Sequence, residues 1–256
     1  MTFSPSVQLK LDRARELKEE IRVASIEWAA SNPYRFVTEQ VELDDPVYSH
    51  LNYCADVSVP LPSTSMSKRL GDAIGNFRAV LDHVVWELSM QHSGPTPSNP
   101  RGIGFPRTLG APGLHAVDPK VLGAVEAAFL SAVSEDLPDS PLTLLCDLSN
   151  VDKHVSIHAI YHYVREVEIT TDPVVIGTNI EVVQGLTELR GLQIIARITI
   201  PRPLFVQDAI DVRCRTQHGV VIAPTDRTPV LHLGRTLEAI DTAVDLAASM
   251  LSLHLT

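Results

Sequence analysis

The 256-residue sequence is poor in cysteine, aromatic residues and positive charge. Its three cysteines, Cys54, Cys146 and Cys214, are odd in number, far apart and never in a C-x-x-C spacing. A disulfide framework or thiolate metal site is therefore not indicated, and reduced buried thiols are expected. Aromatics make up 5% of the chain, and 21 Lys and Arg face 31 Asp and Glu, for a formal charge of −10. Such a balance argues against a broad nucleic-acid footprint, which needs a basic surface, but leaves room for a local cationic pocket. No apolar run approaches the ~20 residues that cross a bilayer. The opening MTFSPSVQLKLDRARELKEEIR has no apolar core of the secretory type. A cytoplasmic location, with no membrane and no DNA as partner, is the expectation.

What is present is an ordinary globular composition, 45% hydrophobic and 20% charged. Ser4-Pro5 suits a helix start. From there Val7, Leu11, Ala14, Leu17, Ile21, Ala24 and Trp28 form one helical stripe, which Asn32-Pro33 stops. YRFVTEQVEL and YSHLNYCADVSV, joined by Asp44-Asp45-Pro46, read as a hairpin. A helix follows from about Ser63 to Gln91, then a Pro- and Gly-rich connection from Ser93 to Gly113, of the length that usually carries function. It is a candidate lid. Asp118-Pro119 and Ser140-Pro141 start two more helices, the second expected to run on through LTLLCDLSNVDKHVSIHAIYHYV. Beyond Val164 short β-branched stretches predict an antiparallel sheet, and Leu231 to Leu253 a closing helix. The expected class is α+β: a helical bundle with a polar cluster, packed with an antiparallel sheet, in a single domain of residues 1–256, helix-rich over 1–163 and β-rich over 164–256. No strand–glycine-loop–helix phosphate cradle occurs; the GIG at Gly102–Gly104 lacks that context.

Chemistry concentrates in two helices. In GDAIGNFRAVLDHVVWEL, Ile74, Phe77, Leu81, Val84, Val85 and Leu88 share one face, Asp72, Asn76 and His83 lie opposite, and Arg78 and Asp82 sit between. In LSNVDKHVSIHAIYH, a helix would align Asp147, Asn150, His154, His158 and His162, with Asp152 and Lys153 to the sides. If these helices face each other, Arg78 and Lys153 supply cations, Asp82 and Asp152 carboxylates, and His83 and His154 imidazoles. Such clusters on apolar helices are where perturbed titrations and function gather. Asp72, Asn76 and Asn150 would then contact substrate. Arg78 and Asp82 also stand at the spacing of a plain intrahelical ion pair, in the weaker order.

These residues carry a resemblance. The pattern G-D-x-x-x-N-x-R-x-x-L-D-H, then F-P, then N-x-D-K-H resembles that of a widespread bacterial protein group with no assigned activity. Arg78 and His83, four residues apart, are also similar to the R-x4-6-H motif of HEPN ribonucleases, although Ala79 stands where that family usually has a polar residue. The HEPN likeness implies metal-independent RNA cleavage at a homodimer interface, with His83 moving the proton and Arg78 holding the phosphate.

Three functions follow as expectations. The first is a hydrolase, an acid–base phosphodiesterase acting without cofactor on RNA or a small anionic substrate. The second is a metal-dependent hydrolase or oxygenase acting on a small molecule, with a first-row transition metal held by Asp72, His83, His154 and His158. The third is a non-catalytic binding or sensing protein whose polar cluster fixes helix packing.

Overall fold

The computed structural model describes residues 3–41, 44–94, 102–107, 117–131, 137, 139–154, 159–172, 178–183, 192–202, 211–223 and 231–255. The class is α+β. Among the described residues, five helices and seven strands follow one another as α1 (Pro5–Ala30), β1 (Tyr34–Val41), β2 (Tyr48–Val57), α2 (Ser63–Ser93), α3 (Pro119–Ser131), α4 (Pro141–His154), β3 (Ala159–Asp172), β4 (Asn179–Val182), β5 (Gln193–Pro201), β6 (Asp211–Ala223), β7 (Leu231–His232) and α5 (Leu233–Ser252). They form two compact units, each discontinuous in sequence. One comprises Met1–Ala24, Ser63–Ile160 and Ile222–Thr256, the other Ser25–Pro62 and Tyr161–Val221.

In the helical unit the stripe of α1 is buried as its spacing predicts, with Val7, Leu11, Ala14, Leu17 and Ile21 at 2% exposure or less. The Ser4 hydroxyl accepts the Val7 N–H and its carbonyl the Gln8 N–H, so the first turn starts satisfied. At the other end Asn32 takes a left-handed φ of 51°, which a short amide side chain tolerates. Helix α5 buries Leu237, Ile240, Val244, Ala247 and Leu251 and packs against α2, α3 and α4. Helices α2 and α4 also pack together, as the polar-patch reading requires.

The ends of the chain are joined by charge. Asp241 on α5 is buried and accepts from Arg15 Nε at 2.8 Å and from Lys18 Nζ. Arg15 also reaches Asp245 at 2.8 Å, and Lys18 reaches Glu238 at 2.9 Å. Burial lowers the Lys18 pKa, but these carboxylates outweigh it and hold the ammonium above its ordinary value.

The sheet unit holds an antiparallel sheet of order β1-β2-β5-β4. The hairpin forms where the sequence put it, with Tyr34 paired to Val57 and Val41 to His50. Leu51, Tyr53, Ala196, Ile198 and Ile200 are buried, alternating with half-exposed His50, Asn52 and Thr199 and exposed Arg197. A register shift at Tyr53/Cys54 leaves Ile195 as the extra residue and breaks that alternation, so Ile195 and Ala196 are both buried. Phe36 stacks on Tyr53 across the hairpin, and Trp28 meets Tyr34 edge-on while donating to the Val59 carbonyl at 2.9 Å. A second sheet has order β3-β6-β7.

The hairpin turn is fixed by Asp45. One carboxylate oxygen accepts the Val47 and Tyr48 N–H groups at 2.8 and 3.0 Å; the other meets His50 Nε2 at 3.1 Å, while His50 Nδ1 meets Thr199 Oγ1 at 3.2 Å.

One expectation fails here. The helix begun at Pro141 ends at His154 instead of continuing to Val164, and β3 is under way by Ala159. Ile160, Tyr161, Tyr163 and Val164 are β-branched or aromatic, and pairing into a sheet wins over a helix at such residues. His154, His158 and His162 therefore do not share a helix face: His162 lies in a strand and His158 outside the described residues.

Two predictions follow from these contacts. Asp241→Ala strips the common acceptor from Arg15 and Lys18 and is expected to cost about 2–3 kcal/mol, below the 3–5 typical of a fully buried pair because the Arg15 side chain is 41% exposed; urea unfolding measures it. Bonds from Val47 first, then His50 and Tyr48, lower the Asp45 pKa. Its contribution is thus present above the ordinary 3.8 and lost as pH falls through the lower folded value. In NMR titrations the Val47 and Tyr48 amide protons are expected to move together, with a shared midpoint below 3.8.

Candidate functional site

Helix α2 buries its apolar face as its periodicity requires, with Ile74, Phe77, Leu81, Val84 and Val85 wholly inside. One side of this face is closed by the connection that leaves α2, and the polar residues on the border between faces are what hold it. Arg78 and Asp82 pair within the helix, Nε to Oδ2 at 3.3 Å and Nη2 to Oδ1 at 3.3 Å. Both then bind one residue of the connection. Asp82 Oδ1 accepts the Phe105 N–H at 2.8 Å, and Arg78 Nη2 donates to the Phe105 carbonyl. The remaining guanidinium nitrogen, Nη1, donates to Cys146 Sγ on α4. An ion pair thus does for Phe105 what a neighbouring strand would do, satisfying its donor and its acceptor together.

The flanking residues extend this clasp. Phe105 is 2% exposed and stacks on Phe129 of α3 at 5.4 Å, with the Arg78 guanidinium 6.0 Å from its ring centre. The Pro106 carbonyl accepts from Cys146 Sγ at 3.8 Å. Arg107 pairs with Asp147 of α4 at 2.6 Å, both at the surface. At Gly104 a Cβ would stand 3.2 Å from Asp82 Oδ1, tighter than a carboxylate held from two sides readily allows. Residues 104–107 are thereby gripped in turn by α2 and α4.

The electrostatics agree. The Arg78 side chain is 17% exposed and that of Asp82 36%. Burial pushes the Cys146 thiol above its ordinary value; Arg78 opposes this, while Asp82 and Asp147 add to it. Cys146 and Cys54 are both buried and free of disulfides, as expected, and the Cys214 side chain lies outside the described residues. A buried protonated thiol is a poor nucleophile.

The expected site residues divide sharply. Arg78 and Asp82 are joined. Asp72 is exposed, and its carbonyl accepts from Asn76 Nδ2 at 2.7 Å, so Asn76 is turned back on its own helix. His83 is half-buried on α2 and Asn150 is exposed on α4. Asp152, Lys153 and His154 occupy the last turn of α4, but their side chains lie outside the described residues, as does His158. Among the described residues no group of three or more His, Cys, Asp or Glu is arranged to hold a metal ion. Likewise, no described helix is long and apolar enough to cross a membrane.

Sequence reasoning missed Cys146, Asp147 and Arg107 as partners. The F-P of the repeated pattern was a signal, but nothing in it says that the backbone of Phe105, rather than its ring, is what Arg78 and Asp82 recognise.

Comparisons with family models, with curated proteins and with solved structures found no match. The site defines itself only by its geometry, as a clasp between two helices and the segment that links α2 to α3.

Arg78→Ala leaves the Phe105 carbonyl without its donor and the Asp82 carboxylate without its cation, and is expected to cost about 3 kcal/mol, or roughly 6–12 °C in Tm. Arg78→Lys is expected to recover little of it, because one ammonium cannot span three separated acceptors. Thermal unfolding of both variants checks this, and modification of Cys146 by a thiol reagent, slow in the native protein, is expected to quicken in each.

Proposed function

We propose that the chain is a non-catalytic binding or sensing protein, in which the Arg78–Asp82 pair is a structural clasp rather than a phosphate grip. The observation that carries this reading is that each guanidinium nitrogen of Arg78 already has a protein partner: Asp82, Cys146 and the Phe105 carbonyl. A phosphate-binding arginine in a free site presents a planar fork of unpaired donors. Here the fork is filled, and emptying it would release Phe105 from between the helices.

The acid–base phosphodiesterase reading stands as the competitor. In its favour, Asp82 and His83 adjoin on α2 and both reach solvent in part. It would need another cation than Arg78 to take the phosphate. A homodimer and an RNA or small anionic substrate belong to that reading and are tested with it.

Purified protein incubated with RNA in EDTA separates the two. The binding reading expects intact RNA from the native chain at protein excess. Chelator-resistant cleavage that disappears in a folded His83→Ala variant overturns it and establishes the phosphodiesterase.

A further inference from the structure

A second polar cluster lies in the helical unit away from the clasp, where three helix ends meet. It surrounds a cavity of about 230 Å³. His92 comes from the last turn of α2, Lys120 from the first turn of α3, and His254 from the turn just beyond α5. Gln91 joins them, and its amide donates to the His254 carbonyl at 3.2 Å, tying the end of α5 to the end of α2. That turn is itself closed by the His254 N–H on the Leu251 carbonyl at 3.0 Å. Leu88 and Val121 supply the apolar part of the lining.

We infer that this cavity is a binding site for a small oxyanion, the phosphate or carboxylate group of a small molecule. The lining residues bring one ammonium, two imidazoles and a carboxamide from three elements to one concave surface, with Gln91, His92 and Lys120 exposed and His254 half-buried. Each imidazole carries at least one N–H whatever its charge, and an ammonium carries three, so donors outnumber acceptors. The one carboxylate in the lining, Asp118, is engaged in capping α3: its Oδ1 accepts the Lys120 N–H at 2.9 Å. A metal ion is the poorer occupant, because His92, Asp118 and His254 are not arranged to hold one.

This inference extends the binding reading by naming a ligand class and a place for it. Its residues take no part in the clasp. Sequence alone treats His92 and His254 as incidental, since only the packing of α2 with α5 brings them to one cavity.

The test is a titration of the full chain with inorganic phosphate and, separately, acetate, following the His92 and His254 side-chain signals by NMR, with chloride at matched ionic strength as control. Saturable shifts of both histidines are expected with at least one oxyanion, at an affinity on the order of 1 mM. Lys120→Met and His254→Asn are each expected to weaken binding about tenfold, whereas His50→Asn, in the sheet unit, should leave it unchanged. Equal shifts with chloride, no shift with either oxyanion, or unweakened binding in the folded Lys120→Met and His254→Asn variants would overturn the site. A chain that leaves RNA intact yet binds no oxyanion here loses this inference alone. RNA cleavage dependent on His83 would remove the reading it extends.

Discussion

A guanidinium taken out of water must find acceptors for all its donors, and that constraint organises the helical unit around Arg78. Its neighbours Phe77, Val80 and Leu81 are core residues, so the stem of Arg78 cannot swing free. The acceptors come from three places: a carboxylate one turn along α2, a sulfur on α4 and a main-chain carbonyl from the α2–α3 connection. The guanidinium is the one group that bonds all three, and it would be left uncompensated without them. Phe105 is therefore a fixed point between the two helices, because its main-chain donor and acceptor are both bonded by side chains of α2.

This arrangement explains why Arg78 and Asp82 stand at the border of the apolar face of α2. A carboxylate or guanidinium at the centre of that face would lack a route to solvent, and one on the outer face could not reach Phe105. At the border, Asp82 keeps 36% of its side chain wet while bonding the Phe105 N–H. The partial exposure lessens the desolvation cost of the pair, and its inward donors retain the directional bonds that set register. Gly104 completes the fit, since only a residue without a side chain leaves that carboxylate undisturbed.

Much of the architecture was legible because it rests on local pattern. The α1 stripe, the hairpin at Asp44-Asp45-Pro46 and the proline-marked starts of α3 and α4 each follow from spacing and capping chemistry within a few residues. The end of α4 was not. A four-residue recurrence of histidines suggested more helix, but the competing β preference of Ile160, Tyr161 and Tyr163 is expressed only when a sheet receives them. The site shows the same division. That Arg78 and Asp82 belong together was readable from their i,i+4 spacing; α2 and α4 do pack, but Asp72 on the one and Asn150 on the other are exposed. That the pair grips the backbone of Phe105 was not readable, because a main-chain acceptor leaves no residue type to notice. Likewise His92 and His254 share a cavity through tertiary packing, which no window along the chain contains.

Charge bookkeeping bears on the choice between binding and RNA cleavage more than any single motif does. Among the described residues, eight cations lie in ion pairs with acids: Arg13 with Glu16, Arg15 and Lys18 with Asp241, Arg22 with Glu19, Arg35 with Asp56, Arg69 with Glu20, Arg107 with Asp147 and Arg197 with Glu181. Each pair cancels its own field within a few ångströms, and the unmatched acids leave the chain at −10. Polyanion binding draws on counterion release from several phosphates at once and needs unpaired cations spread along a surface. A small anion needs only a handful of donors on one concavity, with the rest of the surface indifferent. The proposed oxyanion site, with Lys120 beside two imidazoles at the meeting of three helix ends, asks only for the second.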